Sequence, residues 1–222
     1  MADDDSTELS ARERRRADPG RLLTFTDGVF AIIITILVLE LKVPDLGSGQ
    51  SLSRALRETR PTFVAFVVSF LLVGMYWSWH RSAFAQVRYI DRNTLWLNLV
   101  FLLPVAMIPF VASVLGEFPS SPSALHLYGI VLIVATLLRV VLDWYLRRHP
   151  GLLWQTPSQE ARRLASLAAA APLLVYGVAV LIADWLPVLS LLLYFAMPVL
   201  YFGLVALLQT DSRTRVAAED LS

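Results

Sequence analysis

The chain has 222 residues but contains no cysteine and only three histidines. Without cysteine there are no disulfides, no thiolate nucleophile and no cysteine metal site. The histidines stand far apart in sequence, at His80, His126 and His149. No pair of them has the spacing of metal ligands, so we predict no metal site.

Charge is also scarce, because only 17% of the residues are charged and the net charge is +1. Such a balance lacks the basic field with which proteins attract nucleic acid, so we expect no nucleic-acid partner. The sequence has no Gly-rich phosphate loop, nucleophile elbow or HExxH pattern. We therefore predict neither an enzyme nor a cofactor.

Apolar residues dominate instead, at 56% of the chain with a mean hydropathy of +0.60. Apolar stretches near the spanning length of about 20 residues recur along the sequence. This pattern predicts an all-α polytopic membrane protein with about six transmembrane helices per subunit. The predicted spans are Leu22–Leu41, Thr62–His80, Thr94–Leu115, Leu125–Leu146, Leu164–Ala183 and Leu186–Leu208.

Arginine in the short connections predicts the orientation. The N-terminal segment, the connections after the second and fourth spans, and the C-terminal segment hold most of the arginines, and all fall on one side of the membrane. The positive-inside rule then puts both termini in the cytoplasm, in a multi-pass protein of the cell membrane. We predict a mobile N-terminal tail at 1–19, a transmembrane domain at 20–208 and a C-terminal tail at 209–222.

The first span is unusual because two carboxylates, Asp27 and Glu40, bracket a short apolar stretch. From Gly28 to Leu39 this stretch rises only about 18 Å along a helix, well short of a hydrocarbon core. A carboxylate against lipid is costly, so protein or water should shield this helix. Two interpretations stay open: Asp27 lies among headgroups and pairs with Arg21, or it belongs to a buried polar network.

Helical spacing gives the first span a distinct apolar face, since Ile32, Ile36 and Leu39 recur at intervals of about one turn. Beside it runs a stripe of small residues, Gly28, Ala31 and Thr35. Small stripes let helices approach closely in membranes. From periodicity alone, either face fits an ordinary packing surface as well as a pore lining.

The start of this span carries a compact motif: Arg21, Phe25-Thr26-Asp27, then Gly28-Val29-Phe30-Ala31-Ile32. It closely resembles the signature of the transmembrane protein 175 family, in which an arginine precedes Phe-Ser-Asp. Thr26 keeps the hydroxyl of the serine. The resemblance extends to three further segments: Tyr76-Trp77 with His80, Leu95-Trp96-Leu97-Asn98-Leu99, and Pro109-Phe110. Arg81 stands where bacterial relatives often have a second histidine, and beyond the third span only hydropathy and spacing match.

This resemblance implies a potassium-preferring cation channel that conducts passively, with the first helices lining a central pore. A chain with one six-helix unit implies a homotetramer in the lipid bilayer, with potassium ions only transiently in the pore. The family's narrow hydrophobic positions fall on Ile32, Ile36 and Leu39, and its hydroxyl position falls on Thr35.

The resemblance also implies a structural polar network at the cytoplasmic end of the pore helix. Its members are Arg21, Phe25, Thr26, Asp27, Trp77 and His80. The alternative function is a proton-coupled or secondary cation transporter that uses Asp27 and His80 as a proton relay. In the fourth span, Arg139 and Asp143 stand four positions apart, which predicts an intrahelical ion pair.

Overall fold

The computed structural model describes residues 17–44, 51–155 and 159–219, with side chains described at 17–44, 51–155 and 169–203. Almost all of this is helix, which confirms the all-α prediction. The predicted N-terminal tail lies, except for its last residues, outside the described part. We number the helices α1 Gly20–Leu37, α2 Leu52–Glu58, α3 Arg60–Phe84, α4 Arg92–Ala106, α5 Ile108–Glu117, α6 Pro122–Arg148, α7 Gln159–Ile182 and α8 Pro187–Glu219.

Four helical stretches in the described part are long and apolar enough to cross a membrane, judged by length and composition. They are Gly20–Glu40, Arg60–Phe84, Arg92–Glu117 and Pro122–Arg148. Two shorter apolar helices, Ala169–Ile182 and Pro187–Gly203, coincide with the fifth and sixth predicted spans. The protein is therefore built as a membrane protein, and the count of about six spans stays a prediction.

Proline shapes the third predicted span, which is two helices, α4 and α5, that meet at Met107. Pro109 has no N–H, so it cannot donate to the carbonyl one turn earlier, and the helix bends at such a site. The N–H of Met107 instead donates to the carbonyl of Pro104 at 3.1 Å, closing the turn at the end of α4. The first span ends similarly, because α1 tightens into a 3₁₀ turn over Val38–Glu40.

The last two helices form a tight hairpin around Asp184 and Trp185, the two residues that separate the fifth and sixth predicted spans. The N–H of Leu186 donates to the carbonyl of Ile182 at 2.8 Å and closes the turn before Pro187 begins α8. Helix α8 continues to Glu219, past the predicted start of the tail at residue 209. The domain boundaries themselves stay a prediction.

The centre of the subunit is formed by α3 and α6. Helix α3 packs against α1, α5 and α8, while α6 packs against α4, α5, α7 and α8. Between them, buried hydroxyls bond across helices: Tyr76 lies 2.8 Å from Thr136, and Ser69 lies 2.8 Å from Tyr128. In a bilayer such bonds hold helices together where burial of apolar surface does not.

Close helix packing at the centre depends on Gly129 of α6. A Cβ atom there would lie 2.2 Å from the Tyr194 hydroxyl and 2.4 Å from a methyl carbon of Val180. Only glycine leaves room for α7 and α8 to approach α6 this closely. Gly116 has the same function near α3, where a Cβ would lie 2.9 Å from the Cα of Thr62.

The predicted ion pair between Arg139 and Asp143 is wrong. Asp143 pairs with Arg147, one turn further along α6. The Arg139 guanidinium donates to the backbone carbonyl of Ala169 on α7 and stacks 4.8 Å over the ring of Trp79. The long side chain of Arg139 therefore joins three helices instead of pairing within its own.

Candidate pore-lining helix

Helix α1 has two apolar faces with opposite environments. Phe30, Ile33 and Leu37 are almost completely buried against α3, α4 and α5. On the other side, Ile32 is 59% exposed, and Leu39, in the 3₁₀ turn, is 70% exposed. Ile36 is also exposed, so the face that the sequence singled out is the one that the subunit leaves uncovered.

The stripe of small residues lies on the uncovered side too. Gly28, Ala31 and Thr35 are exposed, and a Cβ atom at Gly28 would meet nothing within 4 Å. The Thr35 hydroxyl lies 3.0 Å from the carbonyl of Ala31 and 2.9 Å from that of Ile32, and it donates its proton to them. Because that proton is used, the oxygen lone pairs of Thr35 can only accept a hydrogen bond or coordinate a cation.

A carboxylate marks the C-terminal end of this face. Glu40, half-buried, borders a groove of about 580 Å³ that Ile32, Ile36 and Phe110 also line. It borders a second groove of about 500 Å³ whose rim includes Lys42 and Glu117. The charged side chains that line this groove, Glu40, Lys42 and Glu117, sum to a charge of −1, which favours cations at this end of the face.

A buried polar chain fixes the other face of α1 to the core. The Asn98 amide of α4 donates to the Thr26 hydroxyl at 2.9 Å. Its carbonyl oxygen lies 2.8 Å from Nε2 of His80 on α3. The His80 ring stacks on the rings of Phe84 and Phe101, with centroids 4.3 Å and 6.2 Å away. All three polar side chains are fully buried, so the predicted network members Thr26 and His80 do meet, through Asn98.

Asp27 forms a second contact, separate from that chain. The indole N–H of Trp77 donates to an Asp27 carboxylate oxygen at 2.9 Å, which joins α1 to α3. The Arg81 guanidinium lies 5.7 Å from the centre of the Trp77 ring. Asp27 itself is exposed on the single subunit.

The other two predicted network residues lie apart from both contacts. Arg21 is exposed and Phe25 is 52% exposed. Within the described residues of one subunit, no ion pair joins Arg21 to Asp27. Their membership of a network stays a prediction about the assembled protein.

Asn98 was not among the predicted network residues, although it lies within the matched segment of the third span. Its signal was a lone amide in an apolar run, since a polar side chain inside a membrane helix normally faces the bundle and finds a partner. Its two partners come from helices far away in sequence, which periodicity cannot identify.

Two isolated backbone bridges lie near the start of α1, at the end of the bundle that holds Arg147 and Arg148 and is called the charged end below. Ala17 pairs with Ile90, and Val87 pairs with Leu153. Nearby, Asp91 caps α4 and accepts bonds from Thr94 at 2.8 Å and from Tyr145 at 2.5 Å. Partial burial alone raises the pKa of Asp91, but the hydrogen bonds from Thr94 and Tyr145 outweigh it, so the pKa is lower than usual.

No group of three or more histidine, aspartate or glutamate side chains that could hold a metal ion occurs in the described part of the chain. His126 lies 3.1 Å from the carbonyl of Val180 and 3.6 Å from the Asp184 carboxylate. His149 lies 2.8 Å from the carbonyl of Tyr145. With His80 bonded to Asn98, the three histidines have separate local partners.

Comparison with known proteins gives matches to one kind of membrane protein. The family model of the endosomal/lysosomal potassium channel TMEM175 matches residues 21–109, from α1 into α5. A potassium channel of Streptomyces collinus is 38% identical over 135 residues, which cover 59% of this chain and 66% of that protein. A potassium channel of Chryseobacterium sp. is 39% identical over 132 residues, 60% of this chain and 67% of that protein.

Animal relatives and a solved structure extend these matches. Human TMEM175, named as an endosomal/lysosomal proton channel, is 25% identical over 144 residues, which cover 64% of this chain and 29% of that protein. The crystal structure of a lysosomal potassium-selective channel TMEM175 homolog from Chamaesiphon minutus superposes with a TM-score of 0.73 at 26% identity. That match covers 82% of this chain and 95% of the solved one. The sequence matches thus span about two thirds of the first two bacterial relatives and under a third of the human protein.

Proposed function

Because the chain belongs to the TMEM175 family of ion channels, we propose that it is a potassium-preferring cation channel that conducts passively. The observation that carries the proposal is the exposed apolar face of α1, formed by Ile32, Ile36 and Leu39. Lipid could cover an apolar face, but this face is bracketed by the carboxylates of Asp27 and Glu40, which are costly against lipid. Bacterial relatives named as potassium channels support a pore as that environment.

Assembly follows from geometry, since one α1 helix cannot enclose a pore. The proposal is a closed cyclic homotetramer with α1 on the axis. The exposed stripe of Gly28, Ala31 and Thr35 allows the close approach that such an arrangement requires. In this arrangement the exposed Arg21 and Phe25 complete the polar network between neighbouring copies.

The constriction would be a ring of Ile32 side chains, with Ile36 and Leu39 as further apolar layers. An isoleucine ring offers no ligand to an ion, so it acts through size and dewetting. Potassium loses water more easily than sodium, so partial dehydration favours potassium. The free lone pairs of Thr35 replace part of the lost water.

The proposed setting is the cell membrane with both termini in the cytoplasm. The arginines of the connections after α3 and α6 support it through the positive-inside rule. The bonds of Asp27 and Thr26 to the core then hold the cytoplasmic end of the pore helix. Glu40 would stand at the outer mouth and draw cations toward the constriction.

Cation flux into liposomes that contain the purified protein tests this function. Wild type should give fast passive flux, with a reversal potential in asymmetric potassium and sodium that favours potassium. Ile32→Asn widens the ring and supplies oxygens, so the barrier should fall more for sodium than for potassium. We expect larger currents and a reduced potassium preference.

Val38→Asn is the matched control, because Val38 is half-exposed yet lies about 120° around the helix from Ile32. It should leave conductance and reversal potential near wild type. An assembled Ile32→Asn tetramer with unchanged conductance and reversal potential would show that Ile32 does not line the pore. A dimeric or monomeric channel with full activity would contradict the assembly.

The alternative is a proton-coupled or secondary cation transporter, and the names of the animal relatives make proton movement the quantity to measure. Within the described residues Asp27 bonds Trp77 and His80 bonds Asn98, so no direct hydrogen bond joins the two proposed relay groups. Uphill potassium movement driven by a proton gradient would establish the transporter. Passive proton current in the same liposomes would instead add protons to the channel's permeant ions.

A further inference from the structure

A further cavity, separate from the two grooves that Glu40 borders, lies between α3, α6, α7 and α8. It has a volume of about 500 Å³, within the range of small-molecule sites. Its walls are apolar and aromatic, with Trp79 and Met197 among them, and it also contains three charged side chains of α6: Arg139, Asp143 and Arg147. None of its described lining residues comes from α1.

Arg139 is the most unusual group in this cavity, since it is charged, 7% exposed and lies well inside a membrane-spanning helix. The backbone places it about 13 Å along α6 from the charged end at Arg148. One donor is used by the Ala169 carbonyl of α7, three residues before Pro172, whose missing N–H disturbs the bonding of that turn. A guanidinium has five N–H donors in a planar fork, so it can bind a further acceptor.

The described charged side chains of the cavity, two arginines and one aspartate, sum to a charge of +1. Asp143 is ion-paired with Arg147 and not with Arg139. Among the described side chains, no carboxylate lies within ion-pair distance of Arg139. Asp143 lies one turn away and attracts Arg139 without forming an ion pair with it. A buried cation is costly inside a membrane, and an anion bound at the guanidinium would lower that cost.

The shape of the cavity indicates what the anion is attached to. Polar side chains of Ser82 and Gln86 line it near the charged end of the bundle. At its rim, Leu200 of α8 is 65% exposed and Ala171 of α7 is exposed, where lipid tails would pass. An occupant must therefore join an oxyanion to an apolar tail.

The geometry points to a binding site for an anionic phospholipid, with the phosphate on Arg139 and an acyl chain leaving past Leu200. The planar fork of arginine matches the oxygens of phosphate, and basic pockets between membrane helices are suited to lipid headgroups. The lipid would fill the space between α3, α6, α7 and α8 and neutralise the buried guanidinium.

Native mass spectrometry of the purified protein in a neutral detergent tests this site. Three probes are compared: phosphatidylglycerol, phosphatidylcholine with matched chains, and inorganic phosphate. We expect phosphatidylglycerol to be retained preferentially on each subunit. Arg139→Gln, which keeps one donor for Ala169, should weaken that binding about tenfold, the factor for loss of a charged hydrogen bond.

Arg148→Gln is the matched control, because Arg148 also stacks on a tryptophan, 4.9 Å over Trp144, but lies outside the cavity. It should bind phosphatidylglycerol like wild type. Ala83→Leu tests the cavity independently of Arg139, because it narrows the cavity and leaves the guanidinium in place. This variant should also lose the lipid.

The proposal is overturned if wild type retains both lipids equally, or if inorganic phosphate binds as well as the lipid. Equal losses in Arg139→Gln and Arg148→Gln would show only surface attraction to arginine. Where Arg139→Gln does not fold, unchanged lipid binding in folded Ala83→Leu overturns the site by itself.

Discussion

Helix α1 and the α3–α6 centre of the subunit are both apolar, yet they use their apolar residues in opposite ways. Only 28% of the apolar stretch of α1 is buried within the subunit, against 39% for that of α3 and 50% for that of α6. The buried Tyr128 and Thr136 of α6 lie within hydrogen-bond distance of hydroxyls of α3. In α1, Ile32 and Ile36 face outward, while Thr26 faces the core beside buried apolar side chains.

In the proposed assembly, this difference means that the centre is complete within one subunit, whereas α1 needs neighbouring copies. Hydrogen bonds and close contacts at glycine fix the centre without any neighbour. Helix α1 is held by one buried apolar face, the Thr26–Asn98–His80 chain and the Asp27–Trp77 bond. Substitutions in the centre should therefore change subunit stability, whereas substitutions on the open face of α1 should change assembly and conduction.

The largest effect is expected where the two regions join, at Asn98. Asn98→Leu leaves the Thr26 hydroxyl and Nε2 of His80 buried without this partner, while Nδ1 of His80 already has none among the described atoms. At about 1–2 kcal/mol for each buried group, the free energy of unfolding should fall by about 2–4 kcal/mol. Thermal unfolding in detergent measures it.

Asn93→Leu is the control for this change, because Asn93 lies on the same helix but is exposed and donates one bond to Tyr145. It should cost less than about 1 kcal/mol. If Asn98→Leu unfolds no earlier than Asn93→Leu, the buried chain does not hold α1 to the core.

The next largest effect is expected at Gly129 in the centre, and Gly28 of α1 provides the comparison. Gly129→Ala puts a Cβ into the Tyr194 hydroxyl and Val180, and such overpacking should cost about 1–3 kcal/mol. Gly28→Ala meets no atom within 4 Å in the subunit and should gain up to about 1 kcal/mol in helix propensity. Unfolding of the two variants, measured beside wild type, gives both values.

Tetramer yield for the same two variants sharpens the comparison. If Gly28→Ala keeps subunit stability but lowers tetramer yield, the small stripe packs one copy against another. A Gly129→Ala protein as stable as wild type would contradict the close packing at the centre.

Substitutions of Asp27 and Arg21 test the charged residues on the exposed surface of α1. Asp27→Ala removes the acceptor of the Trp77 indole, and Arg21→Ala removes the cation proposed to complete the network between copies. Each should lower tetramer yield or conduction, by up to about tenfold for a charged hydrogen bond. Size-exclusion chromatography and liposome flux measure the two quantities.

Arg14→Ala, in the predicted tail, is the control and should behave as wild type. Trp77→Phe separates the Asp27–Trp77 bond from the proposed contact of Arg21 between copies. It removes the indole that donates to Asp27 but leaves the charges of Asp27 and Arg21 in place. Normal yield and flux in Asp27→Ala would mean that the open face of α1 does not depend on this charge.

The helices were predictable because apolar runs of spanning length and the turn signals between them are local features of the sequence. The apolar face of α1 was predictable for the same reason, from the spacing of Ile32, Ile36 and Leu39. The bend at Met107 was not predicted, although Pro109 provided the signal, because proline in a membrane helix is compatible with either a bend or a straight span.

The contacts of the polar residues were not predictable, because each bridges helices distant in sequence. Asp27 and Trp77 are 50 positions apart, and Thr26 and Asn98 are 72 positions apart. Arg139 shows the limit of local reasoning most clearly. Its spacing to Asp143 suggests an intrahelical pair, but its length lets it reach the Ala169 carbonyl on α7 beside Pro172.

The smallest change in stability is expected at the periphery of the subunit, where Tyr145 of α6 donates a hydrogen bond to Asp91 at the start of α4. This bond helps to keep the pKa of Asp91 below its ordinary value, so it stabilises the folded protein most when Asp91 is ionised. Because the site is partly exposed, Tyr145→Phe should cost only about 0.5–1 kcal/mol at neutral pH. The cost should persist above the ordinary aspartate pKa of about 3.9 and shrink as the pH falls through the lower folded-state value.

Thermal unfolding of wild type and Tyr145→Phe between neutral and acidic pH measures this convergence. Asn93→Ala removes a neutral bond, 3.1 Å long, to the same tyrosine, and its smaller cost should not change with pH. A Tyr145→Phe cost that is independent of pH would mean that the ionised Asp91 carboxylate is not the acceptor that matters. A cost that grows toward acid would contradict the direction of the Asp91 pKa shift. If the stabilities of wild type and Tyr145→Phe converge at acidic pH and those of wild type and Asn93→Ala do not, the α4–α6 contact is stabilised within the subunit by a hydrogen bond to an ionised carboxylate. The exposed isoleucines of α1 have no comparable partner among the described residues of the subunit.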